Sequence, residues 1–453
     1  MTVKALVPVR HVNLVAPLGQ KPTDTHITDT AAFMRTESGA ASDLIGDSLR
    51  AGSLESATLP RTRGTATSTT ATRTTTTRAP AAARSSSADS NLFSLLVQAY
   101  LDCRRTKRNS ASALAFEAHL ESNLCDLHAD LVSGAYRPGR STCFVTLRPK
   151  PREIWAAGFR DRVVHHLLHN WISPRFYRSF TADSCACIPG RGTLYAAQRL
   201  ENQVRSVTEN WSRPAFYLKC DLANFFVAID KHVLAAQLLP RIDGAWWQSL
   251  AEMVLFHDPR ADVEVRSPAG VMRLVPPHKS LFNAPSDTGL PIGNLSSQFF
   301  ANVHLDALDQ FAKHRLRAPH YVRYVDDFVL LHESTEQLVD WHNRIEAFLP
   351  ARLGAHLNPR KTVLQPIARG IDFVGHVIRP WHRTPRANAL PNALRRIVDT
   401  RDDALFETVN SYFGLFRQAQ SHHVRAQLAN AARRRGFTVS GDLTKVYRQG
   451  AHA

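Results

Sequence analysis

Two adjacent aspartates, Asp326 and Asp327, lie between two apolar runs in the segment from His320 to Leu331. Both runs are rich in β-branched and aromatic residues, and strand-forming runs on either side of a short polar break predict a tight β-hairpin. A plain β-turn would explain the acids equally well, because aspartate is a favoured turn residue. This segment therefore predicts a hairpin but leaves the role of its acids open.

A third aspartate ends another predicted strand. Asp221 follows the apolar run Tyr217-Leu-Lys-Cys220, and the aromatic residues Phe225 and Phe226 come soon after it. If this strand end lay beside the hairpin turn, three carboxylates would meet, and they would repel one another unless a cation lay among them. Hard oxygen ligands favour magnesium, and two such ions about 4 Å apart can catalyse phosphoryl transfer. The three aspartates therefore predict a two-metal site.

The charge of the chain indicates a polyanionic partner. The net charge is +17, and residues 1–90 contribute only ten Lys and Arg against seven Asp and Glu. The excess therefore belongs to the remaining residues, which favours nucleic acid first and an anionic membrane second. No apolar run is long enough to span a membrane, so no membrane partner is expected. Six scattered cysteines favour a reducing cytoplasm.

The pattern changes sharply near residue 90. Residues 57–87 are almost entirely Thr, Ser, Ala, Arg and Pro without an acid, so residues 1–90 are predicted to be a disordered tail. Helices are predicted from Asn91 and over residues 112–132, 159–171 and 392–437, and strands over 143–147, 215–220 and 320–331. Residues 257–288 are predicted to be an inserted loop or hairpin. Helices interleaved with short strands predict an α+β fold.

The order of these motifs resembles that of reverse transcriptases. Asp221 to Phe226 looks like polymerase motif A, and Tyr324-Val-Asp-Asp327 looks like motif C. Between them, Gly289 to Gln298 resembles motif B. The remaining similar blocks are Leu357-Asn-Pro-Arg-Lys361 (motif D), Phe373-Val-Gly-His376 (motif E), and the fingers blocks Arg148 to Glu153, Phe159 to His166 and Ser184 to Gly192. The resemblance covers residues 91–420.

This resemblance implies a right-hand polymerase fold with fingers at 91–215, a palm at 216–380 and a helical thumb at 381–453. It implies an RNA-directed DNA polymerase that uses two magnesium ions, with manganese as a substitute. The implied partners are an RNA template, a DNA or RNA primer and deoxynucleoside triphosphates. In the thumb, Ser411 to Arg417 and the run Arg433 to Arg435 are basic and aromatic, which suits a sugar–phosphate backbone.

The resemblance also assigns roles in the reaction. Asp221, Asp326 and Asp327 are the implied metal ligands, joined by the carbonyl of Leu222. Lys361 resembles the general acid that protonates pyrophosphate, although an exposed surface lysine is an equally good interpretation of the sequence.

Other residues are implied to bind the nucleotide and the template. Phe226 resembles the ring that excludes a 2′-hydroxyl, with an ordinary core phenylalanine as the alternative. Lys150 and Arg152 resemble the fingers residues that hold the triphosphate, with a solvated basic loop as the alternative. The implied contacts with the templating pair come from motif B and are Ile292, Gly293 and Gln298.

Motif B favours one branch of the family. Ile292-Gly-x3-Ser-Gln298 is similar to the bacterial diversity-generating retroelement enzymes, which implies a cytoplasmic bacterial protein. The inserted segment and the long tail depart from that pattern, so a role in defence stays open, with an accessory protein or structured non-coding RNA as a further partner. Untemplated DNA synthesis, RNA-templated RNA synthesis and RNA binding without catalysis also stay open.

Overall fold

The computed structural model describes residues 82–106, 110–147, 150–379 and 381–448. The predicted disordered tail therefore lies outside the described residues as far as residue 81. The first helix, α1 (Ala82–Thr106), begins at Ala82 rather than at the predicted Asn91. Alanine has the highest helix propensity, so a helix can extend past its amphipathic part into a segment such as Ala82–Asp89. Leu96 and Tyr100 of α1 are buried, so one side of this helix packs against the core.

The other helices and the strands follow in chain order. The described helices after α1 are α2 (Ala111–Glu117), α3 (Leu120–Ser133), α4 (Phe159–Ser179), α5 (Thr193–Val207), α6 (Phe225–Ala228), α7 (Lys231–Leu238), α8 (Ala245–Phe256), α9 (Ala269–Met272), α10 (Leu295–Gln310), α11 (Thr335–Leu353), α12 (Ala389–Asp399), α13 (Asp402–Phe416) and α14 (His422–Arg434). The described strands are β1 (Ser141–Thr146), β2 (Arg152–Ala156), β3 (Phe216–Asp221), β4 (Val263–Val265), β5 (Tyr321–Tyr324), β6 (Asp327–His332), β7 (Val363–Pro366), β8 (Ile371–Phe373), β9 (His376–Arg379), β10 (His382–Pro385), β11 (Thr438–Val439) and β12 (Val446–Tyr447).

A four-stranded antiparallel sheet in the order β5-β6-β3-β7 carries the candidate site. The predicted hairpin is confirmed, because β5 and β6 pair up to Tyr324 and Asp327. Side chains alternate between the faces of a strand, so one sheet face packs against α11 and the other against α5. Leu218 and Cys220 lie on the α11 side and Tyr217 on the α5 side.

A smaller, three-stranded sheet has the order β2-β1-β4. Its third strand, β4, comes from the inserted segment 257–288 and pairs in parallel with β1. The segment is therefore not a separate hairpin, because its only described strand completes a sheet begun more than 100 residues earlier. The predicted helix over residues 112–132 is two helices, α2 and α3, and α3 ends at Gly134 with φ of 73°.

The C-terminal region has its own core. The predicted helical stretch 392–437 is three helices, α12 to α14, which pack around Phe413, Phe416 and Leu428. Arg435 at the end of the basic run donates to the carbonyl of Ile397, so this arginine caps α12. In the described ranges, no helix combines the length and the apolar character needed to cross a membrane. The α+β prediction is confirmed, whereas the predicted domain limits stay predictions.

Candidate active site

The register of the central sheet brings two of the predicted aspartates together. Asp221, the last residue of β3, is the Cα partner of Asp327, the first residue of β6. The backbone amide of Leu222 donates to the carbonyl of Asp326 at 3.3 Å. Asp326 directly precedes Asp327, so the third aspartate lies at the same end of the sheet. The sequence prediction that these three residues meet at one end of the sheet is therefore consistent with the described backbone.

The turn that carries these acids is conformationally demanding. Val325 has a φ of 56°, a region that a β-branched residue rarely adopts, and it is buried. Its carbonyl accepts a hydrogen bond from Arg323 Nη1 at 3.0 Å. Such strain persists only where the surrounding structure determines the conformation. Arg323 therefore stabilises the turn from the protein interior.

Arg323 is a functional candidate that the sequence analysis missed. It is 1% exposed and forms a two-point ion pair with Asp309, with Nε–Oδ1 at 2.7 Å and Nη2–Oδ2 at 2.6 Å. The guanidinium also donates to Ser184 Oγ at 2.8 Å and to Asn302 Oδ1 at 3.3 Å. The available signal was an arginine in the middle of the apolar strand Tyr321–Tyr324, since a buried charge needs a partner.

The local electrostatics are unfavourable for three carboxylates alone. Burial raises the pKa of Asp326 to about 7, and the neighbouring carboxylates of Asp221 and Asp327 contribute to the rise. Burial also raises the pKa of Asp327, while the ammonium group of Lys219, 3.9 Å away, lowers it. Asp327 Oδ1 is buried and has no hydrogen-bond partner among the described residues. The nearby ammonium groups therefore offset only part of the cost of burying these two acids side by side.

Lys361 lies at the site, as the resemblance implied. Its Nζ is 2.7 Å from Asp221 Oδ2, at the end of the 3₁₀ turn Pro359–Lys361. Asn358 begins this turn, and its backbone amide donates to the carbonyl of Asp221 at 2.8 Å while its Nδ2 donates to Oδ1 at 3.3 Å. This ion pair supports a place for Lys361 beside Asp221, and its side chain is 33% exposed. Whether it acts as a general acid stays a prediction.

The donor chemistry fits magnesium, but the described side chains do not form a finished metal site. Within the described ranges, no group of three or more His, Cys, Asp and Glu side chains is arranged to hold a metal ion. The ammonium of Lys361 takes the cation position beside Asp221. Carboxylate oxygens are the ligands that magnesium prefers, and the unpartnered Asp327 Oδ1 is an acceptor without a donor. The predicted ligands Asp221, Leu222, Asp326 and Asp327 stay predictions.

The two neighbouring phenylalanines of α6 have different environments. Phe225 is buried and stacks near His304, with ring centroids 6.4 Å apart, so it is the core ring. Phe226 is only partly buried and meets Phe225 edge-on at 5.3 Å. The core interpretation therefore suits Phe225 better than Phe226, and the role of Phe226 as a sugar gate stays a prediction.

The charges of several neighbours, Asp221 among them, act on Lys150, one of the two predicted triphosphate residues. Burial lowers the pKa of Lys150, and three cations lower it further, whereas Asp221 raises it. These cations are Lys361, Lys279 and Arg152. Lys279 belongs to the inserted segment and was missed by the sequence analysis, because nothing in the sequence links residue 279 to residue 150.

The motif B residues form a seam between β2 and the palm. The carbonyl of Ile292 accepts from the amide of Trp155 at 2.7 Å, and Gly293 has a φ of 125°. A Cβ at Gly293 would lie 2.8 Å from the carbonyl oxygen of Trp155, so only glycine fits there. Gln298 is partly buried on α10. No hydrogen bond or ion pair between described residues joins Gln298 to the aspartates, and template contact stays a prediction.

Comparison with known proteins identifies related chains. Residues 148–378 match the family described as reverse transcriptase (RNA-dependent DNA polymerase). Protein YkfC of Escherichia coli (strain K12) is 24% identical over 294 residues, which are 57% of this chain and 72% of that protein.

Two solved telomerase structures are also similar. That of Candida albicans in complex with a TWJ fragment of telomeric RNA aligns with a TM-score of 0.40 and 14% identity, over 66% of this chain and 55% of that chain. The apo telomerase of Candida tropicalis, truncated from the C-terminal domain, aligns with a TM-score of 0.41 and 13% identity, over 57% of this chain and 59% of that chain. This chain thus spans less than two thirds of either telomerase chain.

The family match covers half of the chain and contains the central sheet with its three aspartates, the motif B seam and the Lys361 turn. The chain belongs to the reverse transcriptase (RNA-dependent DNA polymerase) family.

Proposed function

We propose that this protein copies RNA into DNA at a two-metal centre formed by Asp221, Asp326 and Asp327. The observation that supports this most directly is the pairing of Asp221 with Asp327 at the end of β3 and β6, with Asp326 in the adjoining turn. The raised pKa of Asp326 also supports it: burial is the main cause and the carboxylates of Asp221 and Asp327 add to it, and bound cations would relieve their repulsion.

Different side chains have different roles in the proposed reaction. Two magnesium ions, when bound, would help ionise the primer 3′-hydroxyl and offset charge on the leaving pyrophosphate. Asp221, Asp326 and Asp327 hold this charge in place with their carboxylate oxygens. Lys361, which lies at Asp221, would donate its Nζ proton to the leaving pyrophosphate. Arg323 bonds to the carbonyl of Val325 and keeps Asp326 in the turn and Asp327 at the start of β6 in position.

Nucleotide selection comes from residues around these acids. Phe226 occupies the space that a 2′-hydroxyl would need, so deoxyribonucleotides are preferred. Lys150 and Arg152 bind the triphosphate, the arginine through a two-point contact and the lysine as a point charge. Ile292, Gly293 and Gln298 lie under the templating pair.

The experiment that tests this proposal is primer extension by the purified chain. A defined RNA annealed to a DNA primer, with deoxynucleoside triphosphates and magnesium, should give a product that ends at the 5′ end of the RNA. Chelation should stop synthesis, and manganese should restore it. Synthesis that continues unchanged without the RNA template would show an untemplated enzyme, and no incorporation with either metal would contradict the proposal.

The biological role that we propose is copying within a diversity-generating retroelement in a bacterial cytoplasm. Its support is the sequence Ile292-Gly-x3-Ser-Gln298, in which an apolar side chain replaces a glutamine. A template and variable repeat pair near the gene would support this role, whereas a cluster of defence genes would favour antiviral defence. An accessory protein or a structured non-coding RNA would be a partner in either case.

A further inference from the structure

We infer that Lys279 of the inserted segment binds the triphosphate of the incoming nucleotide together with Lys150 and Arg152. The inserted segment would then be a part of the nucleotide-binding site rather than a peripheral addition. This inference rests on the proposed function and extends it to a residue outside the motifs that resemble the family.

The inserted segment is attached firmly to the strand that carries Arg152. Glu153, the next residue of β2, is buried and accepts hydrogen bonds from the hydroxyl of Ser280 and, at 2.8 Å, from the amide of Leu281. Phe282 packs on Trp155 of the same strand, with ring centroids 4.7 Å apart. Lys279 directly precedes this attachment point, so its backbone position is fixed relative to Arg152.

The same part of the inserted segment also contacts the palm beside the predicted sugar gate. A Cβ at Gly289 would lie 2.6 Å from Leu281 Cδ1 and 3.2 Å from the carbonyl oxygen of Val227, so Leu281 packs closely there. The amide of Leu290, two residues after the segment, donates to the carbonyl of Phe226 at 2.8 Å. The segment is therefore attached to β2, and the chain directly after it is bonded to the residue that would contact the nucleotide sugar.

The charge pattern identifies the ligand class. Lys279 is exposed, and it makes no ion pair with an acid in the described part of the chain. The bonds from Ser280 and Leu281 to Glu153 hold it next to the strand that carries Arg152, and its charge lowers the pKa of Lys150, as do the charges of Lys361 and Arg152. These cations repel one another, and a flexible polyanion would offset this repulsion. A nucleoside triphosphate has the charge and the length to contact several of them.

The test is the kinetics of primer extension by Lys279→Ala, Lys279→Arg and a matched control, Arg273→Ala. Arg273 is an exposed cation of the same segment, and its guanidinium bonds only locally, to the carbonyl of Ala269. Removing a phosphate contact should raise the KM for the deoxynucleoside triphosphate about fivefold with kcat little changed. Lys279→Arg should stay near wild type, and Arg273→Ala should not raise KM.

The main alternative is that Lys279 contacts the primer–template duplex, and the affinity for this duplex distinguishes it from the inference. If Lys279→Ala weakens duplex binding and leaves the nucleotide KM unchanged, the lysine contacts nucleic acid and the inference is wrong. An equal rise in KM for Arg273→Ala would also overturn it, because a general charge effect would then explain both variants.

Failure of the inference is distinguishable from failure of the proposed function. If the wild-type chain extends no primer, the proposed function fails. Calorimetric titration with magnesium and dATP then tests Lys279 without catalysis. Weaker binding by Lys279→Ala than by Arg273→Ala would support the nucleotide contact, and equal binding would overturn it.

Discussion

The β5–β6 turn and the inserted segment 257–288 are each held by a buried charged side chain, but the two attachments differ. Arg323, which stabilises the turn, forms a buried ion pair with Asp309. Glu153, which holds the inserted segment, accepts hydrogen bonds from a hydroxyl, a backbone amide and the indole of Trp155. The turn presents acids and the segment presents a cation, Lys279.

This difference indicates that the acids are held in a fixed position, whereas the cations can adapt to a ligand. The acids are placed on a two-residue turn whose conformation a buried ion pair enforces, which suits groups that must hold metal ions within narrow limits. The cations are exposed or half-buried and lie in loops or, for Arg152, at the start of a strand, where long side chains can follow a triphosphate. Substitutions at the two attachments should therefore differ in kind as well as in size.

The largest expected effect on stability comes from removing the buried ion pair between Arg323 and Asp309. Arg323→Met should lower the free energy of unfolding by about 3–5 kcal/mol, because it leaves the carboxylate of Asp309 buried without its partner. Extension activity should fall with it, since Val325 loses a hydrogen bond. Urea unfolding followed by circular dichroism, together with primer extension, would measure both.

An exposed ion pair provides the control for this substitution. Arg344 and Asp340 on α11 are 46% and 53% exposed, so Arg344→Met should cost about 1 kcal/mol or less. Adding Asp309→Leu to Arg323→Met should recover much of the stability by removing the unpaired charge, but it should not recover the activity. Equal losses for Arg323→Met and Arg344→Met would show that the turn does not depend on the buried pair.

Much of the turn could be predicted from the sequence because its interactions are local. The apolar arms predicted the β5–β6 hairpin, and the strand before Asp221 predicted β3. The pairing of β3 with β6 puts Asp221 next to Asp327, in agreement with the expectation that this strand end lies beside the hairpin turn. Arg323 was missed because its partners Asp309, Asn302 and Ser184 come from other parts of the chain.

The inserted segment could not be predicted in the same way. Its bonds to β1 and β2 join residues 122 to 128 positions apart, as in Val145–Ser267 and Glu153–Leu281. Periodicity and turn residues report only on neighbours in the chain, so the sequence predicted a loop or hairpin and not the strand β4 that completes a sheet. The contribution of Lys279 depends on the same long-range packing and was missed for that reason.

A smaller expected effect concerns the sugar next to the inserted segment. Phe226→Val should raise the incorporation of ribonucleotides relative to deoxyribonucleotides by about tenfold or more, because it opens space for a 2′-hydroxyl. The buried neighbour is the matched control: Phe225→Leu should lower stability through a core cavity and leave the ratio unchanged.

Competition between labelled ribonucleotides and deoxyribonucleotides on one template measures this ratio. An unchanged ratio for Phe226→Val would show that this ring is an ordinary core phenylalanine rather than a sugar gate. A similar increase for Phe225→Leu would show that the selection depends on the whole of α6 rather than on one side chain.

The central claim is that the reaction depends on the acids at the β3–β6 end of the sheet. The most direct measurement is the single-turnover rate of primer extension on RNA by Asp326→Asn, with Asp340→Asn, an exposed acid of α11, as the control. Asparagine keeps the shape of the side chain and removes a crowded buried charge, so folding and duplex binding should be preserved. Losing several kcal/mol of transition-state stabilisation should lower the rate at least about a hundredfold for Asp326→Asn, and the control should match the wild type. A folded Asp326→Asn protein that extends the primer at the wild-type rate would contradict the account.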